Sequence, residues 1–520
     1  MRNRFCRLLP VGLVLVLAAF MSGAANASPS PTVSAPPEIA ANAATGWPSH
    51  NYDLSNSRAD LSTDINASNV ATLKQKWAFK LSYDGAYGAF TTNPIVLDGY
   101  VYFENPDSDV FALSENTGKL VWEHKYSSVT PSGGPNGVAI GYGLLFGATE
   151  SSAFALNAKT GRQVWIHKLS GNKKEGIDMA PQLYSGKVLI STVPGSSQNF
   201  YQGDAYGIVY ALNAETGHTI WSFSTVQGGA KLWGDPKENG GGGAWYPPAV
   251  DSSGRVFIGI GNPSPVYGTP NDPNAKSRPG PDLYTDSLVA LNGNSGKLLW
   301  YQQVTPHDVR DYDFQISPII TTEEIDGVQT EVVIGAGKSG KVIAFRADNG
   351  QRLWTLNIGE HNQNEYGPLP AKPVTYCPGS VGGVETPMAE TGTTLYVPWV
   401  DWCFKADAKG VTGYGKSTSG GLAAVNTITG AIEWKHVFTT FPLGAATIAN
   451  NVVFTSTVKG EVYGMSTVDG SVLWSTQMTA GINSYPAVTK DMLIIGAGLP
   501  TKASQKKPNA EIVAYSLAGQ

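Results

Sequence analysis

Seven times along the chain an apolar strand runs into a turn ending in glycine, then into a short strand ending in tryptophan. The copies are VFALSENTGKLVW to Trp122, AFALNAKTGRQVW to Trp165, VYALNAETGHTIW to Trp221, LVALNGNSGKLLW to Trp300, VIAFRADNGQRLW to Trp354, LAAVNTITGAIEW to Trp434 and VYGMSTVDGSVLW to Trp474. Glycine at that place fits the positive φ that a tight hairpin demands. Alternating β-branched and aromatic residues fit half-buried strands. Further short strands, such as NPIVLDGYVYF and ATIANNVVFTST, lie between copies. Each unit therefore offers about four strands, the content of a propeller blade. An eighth copy is split between the ends. LKQKWAFKL carries Trp77, and EIVAYSLAG near the C-terminus supplies the strand before it. Joining the two in one blade closes the ring and removes two exposed edges. The pattern predicts an all-β fold: an eight-bladed β-propeller of four-stranded antiparallel blades, closed by N- and C-terminal strands. The tryptophans are expected to pack between blades.

The chain has 520 residues, longer than one ordinary compact domain. A repeat architecture escapes that limit. Only 15% of residues are charged and the formal net charge is −5. No basic patch marks a nucleic-acid partner. Arg2, Arg4 and Arg7 precede an apolar run from Leu8 to Phe20 and then Ala25-Asn26-Ala27. This pattern predicts a signal peptide over residues 1–27 and export, to the periplasm in a Gram-negative cell. The apolar run is too short to span a bilayer, and no later segment is apolar enough to do so. Residues 28–44, rich in Ala, Pro and Ser, read as a flexible leader. Residues 45–520 read as one propeller domain. Two cysteines follow the leader, Cys377 and Cys403. In an oxidising compartment they can pair, which would contribute about 3 kcal/mol by restricting the unfolded chain. No Cys-x-x-Cys-His occurs, which excludes covalent c-type haem.

Chemistry concentrates in YQQVTPHDVRDYDFQISP, from Tyr301 to Pro318. His307, Asp308, Asp311 and Asp313 fall within seven residues there. In an extended segment Asp311 and Asp313 would point to the same side. Two carboxylates so placed repel unless a cation or a shared proton lies between them. A hard metal with a general base is the reading this favours. The longest gaps between repeats, Trp221 to Trp300 and Trp354 to Trp434, hold the insertions, which in repeat proteins gather on the binding face.

Several segments resemble the pyrroloquinoline quinone (PQQ)-dependent alcohol dehydrogenases, eight-bladed quinoproteins of the methanol and ethanol dehydrogenase type. They are GWPSHNYDLSNSR from Gly46, GGGGAWYPPAVDSSGRVFIGIGNPSPV from Gly240 to Val266, TPHDVRDYD from Thr305 to Asp313, YCPGSVGG ahead of Cys403, and TAGINSYPAV near the C-terminus. The resemblance implies PQQ as cofactor, with a Ca²⁺ or lanthanide ion beside it. Asn262 would supply an amide oxygen to the ion. Asp311 would both touch the ion and serve as catalytic base. Asp313 stands where the lanthanide-dependent branch has an extra carboxylate. Lys338, in GAGKSGKV, would contact the quinone oxygens, and Trp245 would form the floor under the cofactor. The substrate implied is a small-molecule alcohol. The electron acceptor would be a separate one, of cytochrome c or quinone type.

The sequence also departs from the family. Gly133 and Gly134 stand where many members have adjacent cysteines, and Asn136 replaces the arginine that follows. Thr91 replaces an acidic cofactor contact, and Arg310 a tryptophan between the acidic pairs. The metal-binding glutamate has no clear match in GSSQNFYQGDAYG, where Gln202 or Asp204 is the candidate substitute. Glu385, in GGVETP, is the candidate at the place of an asparagine near the quinone. These departures keep a second class open, a non-catalytic propeller of PQQ-like repeats acting as a binding or assembly scaffold.

Overall fold

The computed structural model describes residues 36, 39, 46–81, 88–91, 93–128, 137–195, 204–416, 418–500 and 509–517. Nearly all regular structure is β. Strands Ile95–Leu97, Tyr100–Glu104, Val110–Ser114 and Leu120–His124 form a four-stranded antiparallel sheet in chain order. The same meander recurs in the sheets whose last strands carry Trp165, Trp221, Trp300, Trp354, Trp434 and Trp474. The last of these gains a fifth strand, Ala59–Asp60, parallel to Thr447–Ala449. One further sheet joins the two ends of the chain: Lys74–Leu81 pairs antiparallel with Ala510–Ser516, which continues to Met492–Ala497 and Ala487–Val488.

The repeat phrase explains how neighbouring sheets meet. In ALNAETGHTIW the Asn213 side chain accepts from the backbone N–H groups of Glu215 and Thr216. This tightens the hairpin, which Gly217 completes at φ +74°. A Cβ on Gly217 would lie 2.6 Å from the Trp165 ring of the preceding sheet. The indole N–H of Trp165 donates to the carbonyl of Ala214 at 3.0 Å. Each indole thus covers the next hairpin and satisfies one of its carbonyls. The series runs Trp77 to Glu115, Trp122 to Ala158, Trp165 to Ala214, Trp221 to Gly293, Trp300 to Ala347, Trp354 to Thr427 and Trp434 to Thr467. Its last member, Trp474, donates to Leu73, beside the strand that carries Trp77.

The segment from Trp47 to Asp60 crosses beneath several sheets. Carbonyls of Leu54, Ser55, Ser57 and Arg58 accept from Val250, Ile320, Glu390 and Ile448. The Arg58 guanidinium is fully buried and donates to the carbonyls of His50, Ala446 and Pro486 and to the side chains of Asn51, Asn93 and Thr447. Ahead of this segment, Pro36 and Ile39 are also buried. Among the described residues no helix is long and apolar enough to cross a membrane. Cys377 and Cys403 form a disulfide.

Candidate active site

The site is built from three backbone stretches brought side by side. Gly259 ends a strand, and the chain continues through Ile260, Gly261 and Asn262. Ile260 pairs on one side with Ser287, whose carbonyl accepts its N–H, and on the other with Phe314. Gly261 must lack a side chain: a Cβ there would lie 2.6 Å from the Trp245 ring and 2.8 Å from Asp313 Oδ1. That close approach lets the Asn262 N–H donate to Asp313 Oδ1 at 2.6 Å. The third stretch is the turn after strand Val328–Ala336, where the Lys338 N–H donates to the Asp313 carbonyl.

Lys338 then turns its ammonium onto both carboxylates. Its Nζ lies 3.1 Å from Asp311 Oδ1 and 2.5 Å from Asp313 Oδ2. Asp313 is fully buried, and burial raises its carboxyl to about 7 even against the Lys338 charge. The Asn262 side chain is fully buried too. Its amide donates to Pro263 while its Oδ1 has no partner among the described residues. Glu385 is half-buried, but its Oε1 is buried and has no partner among the described residues, and desolvation raises the carboxyl to about 8. Its backbone carbonyl accepts from Tyr246, whose hydroxyl meets that of Tyr485 at 2.6 Å. Trp245 is half-buried against the core that includes Tyr246 and Tyr485.

Asn262, Asp311, Asp313, Lys338 and Trp245 come together, and Glu385 faces the same charges. The candidate donors are all oxygen, two carboxylates and a neutral amide, with the Lys338 ammonium against the carboxylates, and such a set suits a hard cation. The orphaned Asn262 oxygen is a buried acceptor that such an ion would satisfy.

The segment carrying the acidic pair is not extended, as the spacing had suggested. Asp311 sits at φ +69° and no strand is formed from Thr305 to Asp313. The two carboxylates meet because the backbone turns, not because it alternates. His307 and Asp308 do other work. Asp308 is buried and accepts from the N–H groups of Arg310 and Tyr312, which shapes that turn. His307 points toward the carbonyls of Gly280 and Asn274. Arg310 turns to the 360–378 insertion and donates to the carbonyls of Asn364, Tyr366 and Gly367. Thr91 is buried, and Asp204 is exposed at φ +63°. Gly133, Gly134, Asn136 and Gln202 lie outside the described residues.

Two residues were not picked out from the sequence. Tyr267 places its hydroxyl 3.5 Å from Asp311 Oδ2. Asp286 is fully buried, and burial together with Asp308, Asp313 and Asp311 pushes its carboxyl well above the usual range. Asp286 stands just before the strand Ser287–Asn292, where an acidic residue ordinarily reads as part of a turn.

A family model described as the beta-propeller domain of glucose, ethanol and alcohol dehydrogenases matches residues 47–139 and 170–373. A second, described as outer membrane protein assembly factor BamB, matches 404–517. The quinoprotein alcohol dehydrogenase PedH of Pseudomonas putida is 27% identical, over 82% of this chain and 81% of that protein. The solved quinohemoprotein alcohol dehydrogenase ADHIIG of Pseudomonas putida superimposes with a TM-score of 0.80 at 23% identity, covering 92% of this chain and 81% of its own. A europium-containing methanol dehydrogenase gives 0.77 at 19% identity, covering 91% and 98%. The larger family match contains Trp245, Asn262, Asp311, Asp313 and Lys338, and the BamB match contains none of them. The chain belongs to the PQQ-dependent alcohol dehydrogenase family.

Proposed function

We propose that this chain is an exported quinoprotein dehydrogenase that oxidises a small-molecule alcohol using PQQ and a Ca²⁺ or lanthanide ion. Electrons leave to a separate acceptor, of cytochrome c or quinone type. The observation that carries the reading is the meeting of Asn262, Asp311, Asp313 and Lys338 from three separate stretches. The sheets are read as eight blades of a closed ring. The cyclic run of indole contacts, from Trp77 round to Trp474 and back to Leu73, supports that closure.

When bound, PQQ and its ion supply the electron acceptor and the Lewis acid. Asn262 Oδ1, Asp311 and Asp313 would hold the ion, and Trp245 would offer its ring as the cofactor's floor. Asp311 accepts the proton of the alcohol hydroxyl. Tyr267, beside Asp311 Oδ2, keeps that carboxylate oriented. Lys338 stabilises negative charge that builds at the site during reaction.

Reconstitution tests this. Purified protein is mixed with PQQ and either Ca²⁺ or La³⁺, then given an electron-accepting dye and a panel of alcohols. Saturable, alcohol-dependent dye reduction is expected. Absence of PQQ binding with either ion would overturn the proposal in favour of a scaffold. The BamB match over 404–517 is the observation behind that second reading.

A further inference from the structure

Asp286 is a fully buried carboxyl beside the site that the mechanism leaves unused. Neither Oδ1 nor Oδ2 has a hydrogen-bond partner among the described residues. A buried carboxyl with nothing to bond is costly, and such groups persist where something charged pairs with them. The cation whose charge it feels, Arg278, is already committed. That guanidinium pairs with Asp282 and donates to the Asp308 carbonyl. The Asp286 N–H donates to the carbonyl of Gly261, which ties Asp286 to the residue before Asn262. The carboxyl also feels the charges of Asp308, Asp313 and Asp311. The unpartnered Asn262 Oδ1 is a second buried acceptor, on the residue after the Gly261 whose carbonyl Asp286 reaches. Asp286, Asp308, Asp311 and Asp313 are all buried and act on one another electrostatically, and Lys338 pairs with the last two.

We infer that Asp286 is a charge-supplying residue of the ion site, and that it biases the site toward a trivalent over a divalent cation. This rests on the ion reading above. The physical reason is the dependence of Coulomb energy on ionic charge. At any given distance a carboxylate attracts a 3+ charge half again as strongly as a 2+ charge. In partly screened surroundings that difference corresponds to about tenfold or more in relative affinity. No direct bond from Asp286 to the ion is needed.

Tb³⁺ luminescence, excited through the neighbouring aromatic rings and read in competition with La³⁺ and with Ca²⁺, measures the two affinities without turnover. Asp286→Asn keeps the shape and removes the charge. The expected result is a fall of about tenfold in the La³⁺-to-Ca²⁺ affinity ratio. Thermal melts of the ion-free variant should show a Tm equal to or above wild type, because an unpartnered buried carboxyl has been removed. An unchanged affinity ratio would overturn the inference. So would a variant that melts lower without ions while keeping the wild-type ratio, since that marks a purely structural role. Wild-type protein that binds none of the three ions would instead overturn the ion reading itself.

Discussion

Lys338 holds the carboxylates of Asp311 and Asp313 together through one ammonium, and what opposes that arrangement is electrostatic. Asp313 is fully buried and Asp311 nearly so. Removing the cation leaves like charges facing each other in low dielectric. Breaking a buried pair from one side typically costs about 3 kcal/mol or more. Lys338→Met is therefore expected to lower the ion-free protein's unfolding free energy, read from urea titration, by that order, and added La³⁺ or Ca²⁺ should recover part of the loss. A variant as stable as wild type would show that the carboxylates need no counter-charge. Asp311→Asn acts differently, because its amide keeps the shape but cannot take a proton. A positioned base is worth about 10²–10⁴ in rate. The variant should still fold, because Lys338 keeps Asp313 as its partner, and should lose that much turnover in the reconstituted dye assay. Undiminished turnover would remove Asp311 from the role of base.

The structural element on which all else is mounted is the hairpin with its glycine under a tryptophan. Gly350 shows both constraints at once: φ +74°, and a would-be Cβ 2.7 Å from the Trp300 ring. Gly350→Ala must strain the backbone and displace the indole. A loss of about 1–3 kcal/mol in unfolding free energy is expected, and a neutral substitution would contradict the packing role. This element was fully legible in the sequence, because a glycine and a tryptophan at fixed separation leave one workable hairpin. The site was legible only where its parts are sequence neighbours or carry a family motif. Asp311, Asp313, Asn262 and Lys338 were found that way. Asp286 and Tyr267 were not, since their nearness depends on the route of the backbone through Gly261 and through the insertion. The same limit worked in reverse for His307 and Asp308. They stand beside Asp311 and Asp313 in sequence, yet His307 reaches Gly280 and Asn274 and Asp308 the backbone of Arg310 and Tyr312.

At the scale of the whole molecule, the segment from Trp47 to Asp60 fastens sheets that are far apart in sequence, and it does so beside a buried acid. The Ser57 carbonyl accepts the Glu390 N–H, and the Glu390 side chain is buried. Burial, with the carboxylates of Glu323 and Asp53 nearby, raises Glu390 to about 8 from its ordinary 4.5, against a hydrogen bond from Thr321. The folded protein then keeps a proton that the unfolded chain releases above about pH 4.5. Stability from this group is present at low pH and is lost as pH rises toward 8. Within that window the slope approaches about 1.4 kcal/mol per pH unit. Glu390→Gln removes the titration while preserving size. Urea unfolding of the ion-free protein from pH 5 to pH 8 should therefore show wild type losing stability more steeply than the variant. The two should be nearly equal at pH 5, with the variant ahead at pH 8. Parallel curves across that range would mean that Glu390 is ionised in the fold, and that the fastening segment lies against a charged carboxylate.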